Sequence, residues 1–120
     1  MTEPWPTTIA YRRTDRTLSI TFDDGMKFEL PAEYLRVESP SAEVQGHGGA
    51  STKVTVAGKK NVGIADIQEV GRYAVRIVFD DGHDTGLYSW DYLHQLGAER
   101  TKRWFEYESR LAAQGLGREP

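Results

Sequence analysis

From Leu18 to Phe22 the chain alternates apolar and polar residues without a break, Leu-Ser-Ile-Thr-Phe, the period of a half-buried strand. Asp23-Asp24-Gly25 follows, which is turn chemistry, and Met26, Phe28 and Leu30 then alternate again. The stretch predicts a β-hairpin. Pro31 suits the first position of a helix, and "PAEYLR" predicts one or two helical turns.

The same plan recurs 57 residues on. Tyr73, Val75, Ile77 and Phe79 alternate, Asp80-Asp81-Gly82 turns, and His83, Thr85 and Leu87 take the phase held by Met26, Phe28 and Leu30. Ser89 is placed to cap a helix "WDYLHQLG" that Gly97 would end. Ile20, Phe22 and Leu30 match Ile77, Phe79 and Leu87 at 57 residues, whereas Tyr34-Leu35 match Tyr92-Leu93 at 58, so one residue is inserted between the copies' ends. The repeated "FDDG" therefore marks either two copies of one hairpin-plus-helix unit or two independent uses of a common Asp-Gly hairpin.

The remaining segments fill in around these units. A first strand is expected over Thr8 to Arg12, and "KVTV" and "VGIADIQEV" supply one or two more, with Gly71 closing the last. Residues 38–53, "ESPSAEVQGHGGASTK", have no sustained period and read as a loop. Ala98 to Ala113 reads as an amphipathic helix, with Glu99–Arg103 and Glu106–Arg110 as i,i+4 pairs. It covers a sheet or, with Trp104 and Phe105 as anchors, meets a partner. The expectation is an α+β fold: a small antiparallel strand-rich domain, residues 6–114, with two hairpin-plus-helix units, a C-terminal amphipathic helix and flexible ends at 1–5 and 115–120.

Composition narrows the function classes. A chain of 120 residues suits one domain, and three Trp, six Tyr and four Phe give bulk to a core that is otherwise only modestly apolar. A net charge of −3 argues against a dedicated nucleic-acid binder. The chain has no cysteine, so neither disulfides nor thiolate metal sites are available. No apolar run reaches the length of a membrane span, and the start lacks the pattern of a signal peptide, so a cytoplasmic protein is expected.

Candidate chemistry centres on His83. Its imidazole stands beside Asp80, Asp81 and Asp84, which offer carboxylates for metal ligation or for holding a tautomer. The alternative is a histidine bonded to its own turn among turn-forming aspartates. His47, between glycines in "QGHGG", could approach His83 and complete a two-histidine site with an aspartate or Glu43, a donor set suited to zinc or ferrous iron. "HGG" has no accompanying G-x-S-x-G, "AGKK" lacks the phosphate-loop spacing, and Ser39 and Ser41 have no base near them in sequence. Tyr88 and Trp90 are core residues or the lining of a cleft. A small hydrolase or isomerase with His83 as base lacks an evident nucleophile.

The runs "VGIADIQEVGRYAVRIVFDDGHDTGLYSWDYLHQLG" and "LRVESPSAEVQGHG" resemble the small N-terminal domain of gamma-butyrobetaine hydroxylase in its standalone form, and the match covers about residues 6 to 97. Similar domains are appended to Mrp/ApbC-type iron–sulfur carriers of plastids. The resemblance implies a strand-rich α+β fold. In the hydroxylase this domain holds a structural zinc through three cysteines after a Leu-Arg pair and the histidine of the DGH motif. Here Leu35-Arg36 and His83 match, but the cysteine positions fall in "VESPSAEV", which has none. Any metal would then need His83, His47 and acidic neighbours such as Asp81 and Asp84. The hydroxylase's iron and 2-oxoglutarate site lies in a separate domain, so oxygenase activity is not implied. The expected function is a non-enzymatic accessory or interaction module for a protein partner of the iron–sulfur carrier class, with Tyr88, Trp90, Trp104 and Phe105 as its contact residues. The alternative is a metal-binding module with zinc or iron.

Overall fold

A computed structural model describes residues 4–40 and 55–120. The chain runs β1 (Pro6–Arg12), β2 (Thr17–Phe22), β3 (Lys27–Pro31), α1 (Ala32–Val37), β4 (Ile64–Val70), β5 (Ala74–Phe79), β6 (Gly86–Ser89), α2 (Trp90–Ala98) and α3 (Arg100–Ala113). The strands form two three-stranded antiparallel sheets, ordered β1-β2-β3 and β4-β5-β6. The fold is α+β, as the patterning predicts. Of "KVTV", Thr55 and Val56 carry no strand and Lys53 and Val54 lie outside the described residues.

Each sheet and its following helix form one unit, and the two units are equivalent in detail. Leu18, Ile20 and Phe22 of β2 and Val75, Ile77 and Phe79 of β5 are buried in a single core with Leu30, Tyr34, Leu35, Leu93 and Leu96. Both outer strands, β1 and β4, carry a register shift two residues from their start. The amide that opens each helix bonds back to the hairpin before it, Ala32 to Arg16 O and Trp90 to Tyr73 O. Ser89 caps α2 by accepting from the Tyr92 amide at 3.1 Å.

The two FDDG turns do the same three jobs. Gly25 and Gly82 take φ of +88° and +93°, a left-handed conformation that favours glycine. The first aspartate of each turn exchanges bonds with the residue preceding its outer strand. Asp23 does so with Trp5, and Asp80 with Gly63. The second aspartate bonds the amide two residues on, Asp24 to Met26 and Asp81 to His83, an Asx turn. It also reaches a basic side chain on the other unit's helix: Asp24 Oδ2 lies 2.8 Å from His94 Nε2, and Asp81 Oδ2 accepts from Arg36 Nε at 2.9 Å. Two equivalent units joined by reciprocal contacts resemble an isologous dimer within one chain.

Two expectations are corrected. The phase of β6 is inverted, because Val75 pairs with Tyr88 and Ile77 with Gly86. Tyr88 therefore faces the core and Leu87 is 48% exposed. Both turns close identically, Phe22 N to Met26 O and Phe79 N to His83 O, so the inserted residue lies between His83 and Gly86 and flips every side chain after it. Gly97 lies inside α2 rather than ending it. A Cβ there would sit 2.3 Å from Phe28 Cγ, so glycine is needed for close packing of the helix on β3. The C-terminal segment meets the body through two amides, that of Gly58 on Gly117 O at 2.9 Å and that of Lys60 on Arg118 O at 3.0 Å. Trp5 likewise packs edge-on against Tyr73 and Trp90.

Candidate functional site

The second turn carries His83 to the end of α1. His83 Nε2 lies 2.9 Å from Ser39 Oγ, and Ser39 is only 2% exposed. Gly86 makes room for this pair, since a Cβ there would stand 2.6 Å from Ser39 Oγ. Sequence reasoning left Ser39 without a base; the fold supplies one from 44 positions away. The pair is walled in by β6 and α1, an arrangement that locks the second turn to the helix.

Asp81 is spent on structure. Its Oδ1 accepts from the His83 amide, and its Oδ2 accepts from Arg36 Nε and from Lys59 Nζ at 2.9 and 2.7 Å. Burial would raise its pKa, but the bonds from Lys59, the His83 amide and Arg36 together outweigh burial and hold the carboxyl at about 2. An aspartate so engaged is a poor metal ligand. Asp84 is exposed in the hairpin loop, and His47 and Glu43 lie outside the described residues. Among the described residues no three histidine, aspartate or glutamate side chains gather to hold a metal ion.

The four aromatic contact candidates separate. Tyr88 is fully buried, its hydroxyl donating to Leu35 O, so it belongs to the core and not to a docking surface. Trp90 is also buried, with Nε1 donating to Arg72 O at 2.7 Å. Trp104 is half-buried and Phe105, next to it on α3, is 70% exposed. The apolar stripe of α3 turns Tyr107 and Leu111 into a second small core with Val37. Phe105 is left facing outward.

Trp104 and Phe105 border a cleft of about 540 Å³ between β3, α1 and α3, in the size range of ligand and anchor pockets. Tyr34 forms its floor, 6.2 Å from Trp104 between ring centres. Burial raises the pKa of Tyr34 above its ordinary range, so the floor stays neutral. Glu33, Arg118 and Arg100 also line the cleft. Arg118 bonds Glu33 through both Nε and Nη2 at 2.8 Å and lies over the Trp104 ring at 5.2 Å. Sequence reading placed the tail helix and its two anchors but missed Glu33 and Arg118, whose contact spans 85 positions and leaves no local signal.

The family model described as gamma-butyrobetaine hydroxylase-like, N-terminal, matches residues 9–94. No curated protein matches the chain. Among solved structures, one determined by NMR in solution is 50% identical, with 100% of this chain and 92% of that chain covered and a TM-score of 0.84. A second NMR structure is 42% identical over 99% of this chain and 93% of that one, with a TM-score of 0.85. A crystal structure of a protein with unknown function of the DUF971 family, from Acidithiobacillus ferrooxidans, is 36% identical, covers 78% of this chain and 93% of that chain, and has a TM-score of 0.66. No helix among the described residues is long and apolar enough to cross a membrane.

Proposed function

The chain belongs to the gamma-butyrobetaine hydroxylase-like N-terminal family, and on that premise we propose that it acts as a non-enzymatic accessory domain that docks a protein partner at the α1–α3 cleft. The observation that carries this reading is Phe105. It is the most exposed large apolar side chain of the described residues and stands at the rim of a cleft walled by Trp104 and Tyr34. Aromatic anchors beside a preformed pocket are the usual centre of binding energy at protein interfaces. The titratable groups around His83 are committed to holding the fold, which favours binding over catalysis.

The partner class is the iron–sulfur carrier. The support is resemblance: domains similar to this one are joined to Mrp/ApbC-type carriers in a single chain, and covalent joining is a means of raising the local concentration of two parts that work together. The test is calorimetric titration of the full chain with a purified P-loop iron–sulfur carrier, both metal-free and cluster-loaded. Saturable binding that weakens at least tenfold in Phe105→Ala is the expected result. No binding in either state, or binding indifferent to Phe105, overturns the proposal.

A further inference from the structure

Glu33 is a carboxylate only 6% exposed, and its partner comes from the extreme C-terminal segment of the chain. Arg118 meets it with the two-pronged geometry that a guanidinium has and an ammonium lacks. The flat face of the same guanidinium lies over Trp104. A buried carboxylate and an indole face together form a receptor specific for arginine. Glu108, also in the cleft wall, adds to the attraction for a cation, and Arg100 is drawn aside by donating to Glu29 O at 2.8 Å.

The segment that supplies Arg118 is held to the body mainly by polar contacts. These are the amides of Gly58 and Lys60 on the carbonyls of Gly117 and Arg118, and the exposed pair Lys60–Glu119. Leu116 is 42% exposed, and its amide bonds Leu111 O at 2.8 Å. Segments of this kind open at low free-energy cost compared with a core element.

We infer that the Glu33–Trp104 end of the cleft is an arginine-binding site, occupied in the resting protein by the chain's own Arg118, which an arginine-bearing segment of a partner enters by displacing the tail. This deepens the docking reading above and rests on it. The tail acts as a tethered competitor at about millimolar effective concentration, so a free ligand binds the intact protein only weakly until further contacts, such as those at Phe105, add to it.

The test compares the 120-residue chain with its Arg118→Gln variant. The probe is the hexapeptide of residues 115–120, Gly-Leu-Gly-Arg-Glu-Pro. Binding is followed by the indole and amide NMR signals of Trp104, and the unchanged remainder of the spectrum reports that each variant is folded. Arg118→Gln is expected to bind the hexapeptide at least tenfold more tightly than the unaltered chain. Adding Glu33→Gln, or replacing the peptide's arginine by lysine, is expected to lose most of that gain. Equal binding to both proteins, no binding to folded Arg118→Gln, or indifference to Glu33→Gln or to the lysine peptide overturns the inference. The two proposals fail separately. A carrier whose binding depends on Phe105 but not on Glu33 retains the docking surface and removes the arginine from it.

Discussion

Tyr34 and Tyr92 stand at equivalent positions of the two units and fasten each to the other. The Tyr34 hydroxyl donates to Leu96 O and the Tyr92 hydroxyl to Glu38 O, both at 2.6 Å. Leu96 and Glu38 are themselves equivalent, so the two bonds are one contact made twice in opposite directions. The clasp between Asp24 and His94 is matched in the same way by Asp81 and Arg36.

Removing one hydroxyl from this pair leaves a helix-end carbonyl without its donor. Tyr34→Phe and Tyr92→Phe are each expected to lose about 1–3 kcal/mol in urea unfolding. Tyr34 should cost more, because its bond is buried and that of Tyr92 is only partly so. Equal stability of Tyr34→Phe and the unaltered chain would show that the clasp is not a determinant of the fold.

Asp81 makes the fold acid-sensitive. Its carboxyl is held at about 2, below the ordinary aspartate value, so its contribution is fully present above about pH 4 and is lost as pH falls through about 2. After allowing for solvent screening, the contribution is about 1 kcal/mol. Between pH 4 and 2 the unaltered chain should lose stability more steeply than Asp81→Asn, and above pH 5 the two curves should run parallel. Parallel curves throughout would mean that the Arg36 and Lys59 bonds contribute nothing measurable.

Gly97 and Gly25 should respond differently to alanine. At Gly97 the new methyl meets the Phe28 ring at 2.3 Å, so Gly97→Ala should cost about 1–3 kcal/mol by overpacking. At Gly25 nothing lies within 4 Å, and the cost is only that of a positive φ, about 1 kcal/mol. Thermal unfolding distinguishes them further, because Phe28→Leu should partly rescue Gly97→Ala and leave Gly25→Ala unchanged.

The imidazole of His83 should not respond to micromolar zinc or anaerobic ferrous iron, since Ser39 engages Nε2 and Asp81 is bound by two cations. An NMR titration with His94 as the internal reference measures this. A joint shift of His83 and His47 with His94 unmoved would restore the metal-binding reading.

Much of the fold is legible along the chain because its signals are local. The alternation of Leu18, Ile20 and Phe22 and of Val75, Ile77 and Phe79 identifies buried faces, and Asp-Gly marks both turns. The face of β6 is not legible, because period-two patterning identifies a face only if the residues of the turn are counted correctly. One extra residue after His83 exchanges Leu87 for Tyr88. Of the site, α3 and its two anchors Trp104 and Phe105 follow from helical periodicity, whereas Glu33 and Arg118 needed the folded cleft to bring them together.

By itself, then, the sequence determined two equivalent hairpin-plus-helix units, an amphipathic tail helix and the family, because strand period, turn chemistry and motif spacing all act over a few residues. Only the tertiary structure decided what those parts touch. It set the Ser39–His83 contact, the commitment of Asp81 to Arg36 and Lys59, and the seat of Arg118 on Glu33 and Trp104. Each joins side chains at least 14 positions apart, and such pairs are selected by the shape and charge of the folded surface, which no local pattern along the chain encodes.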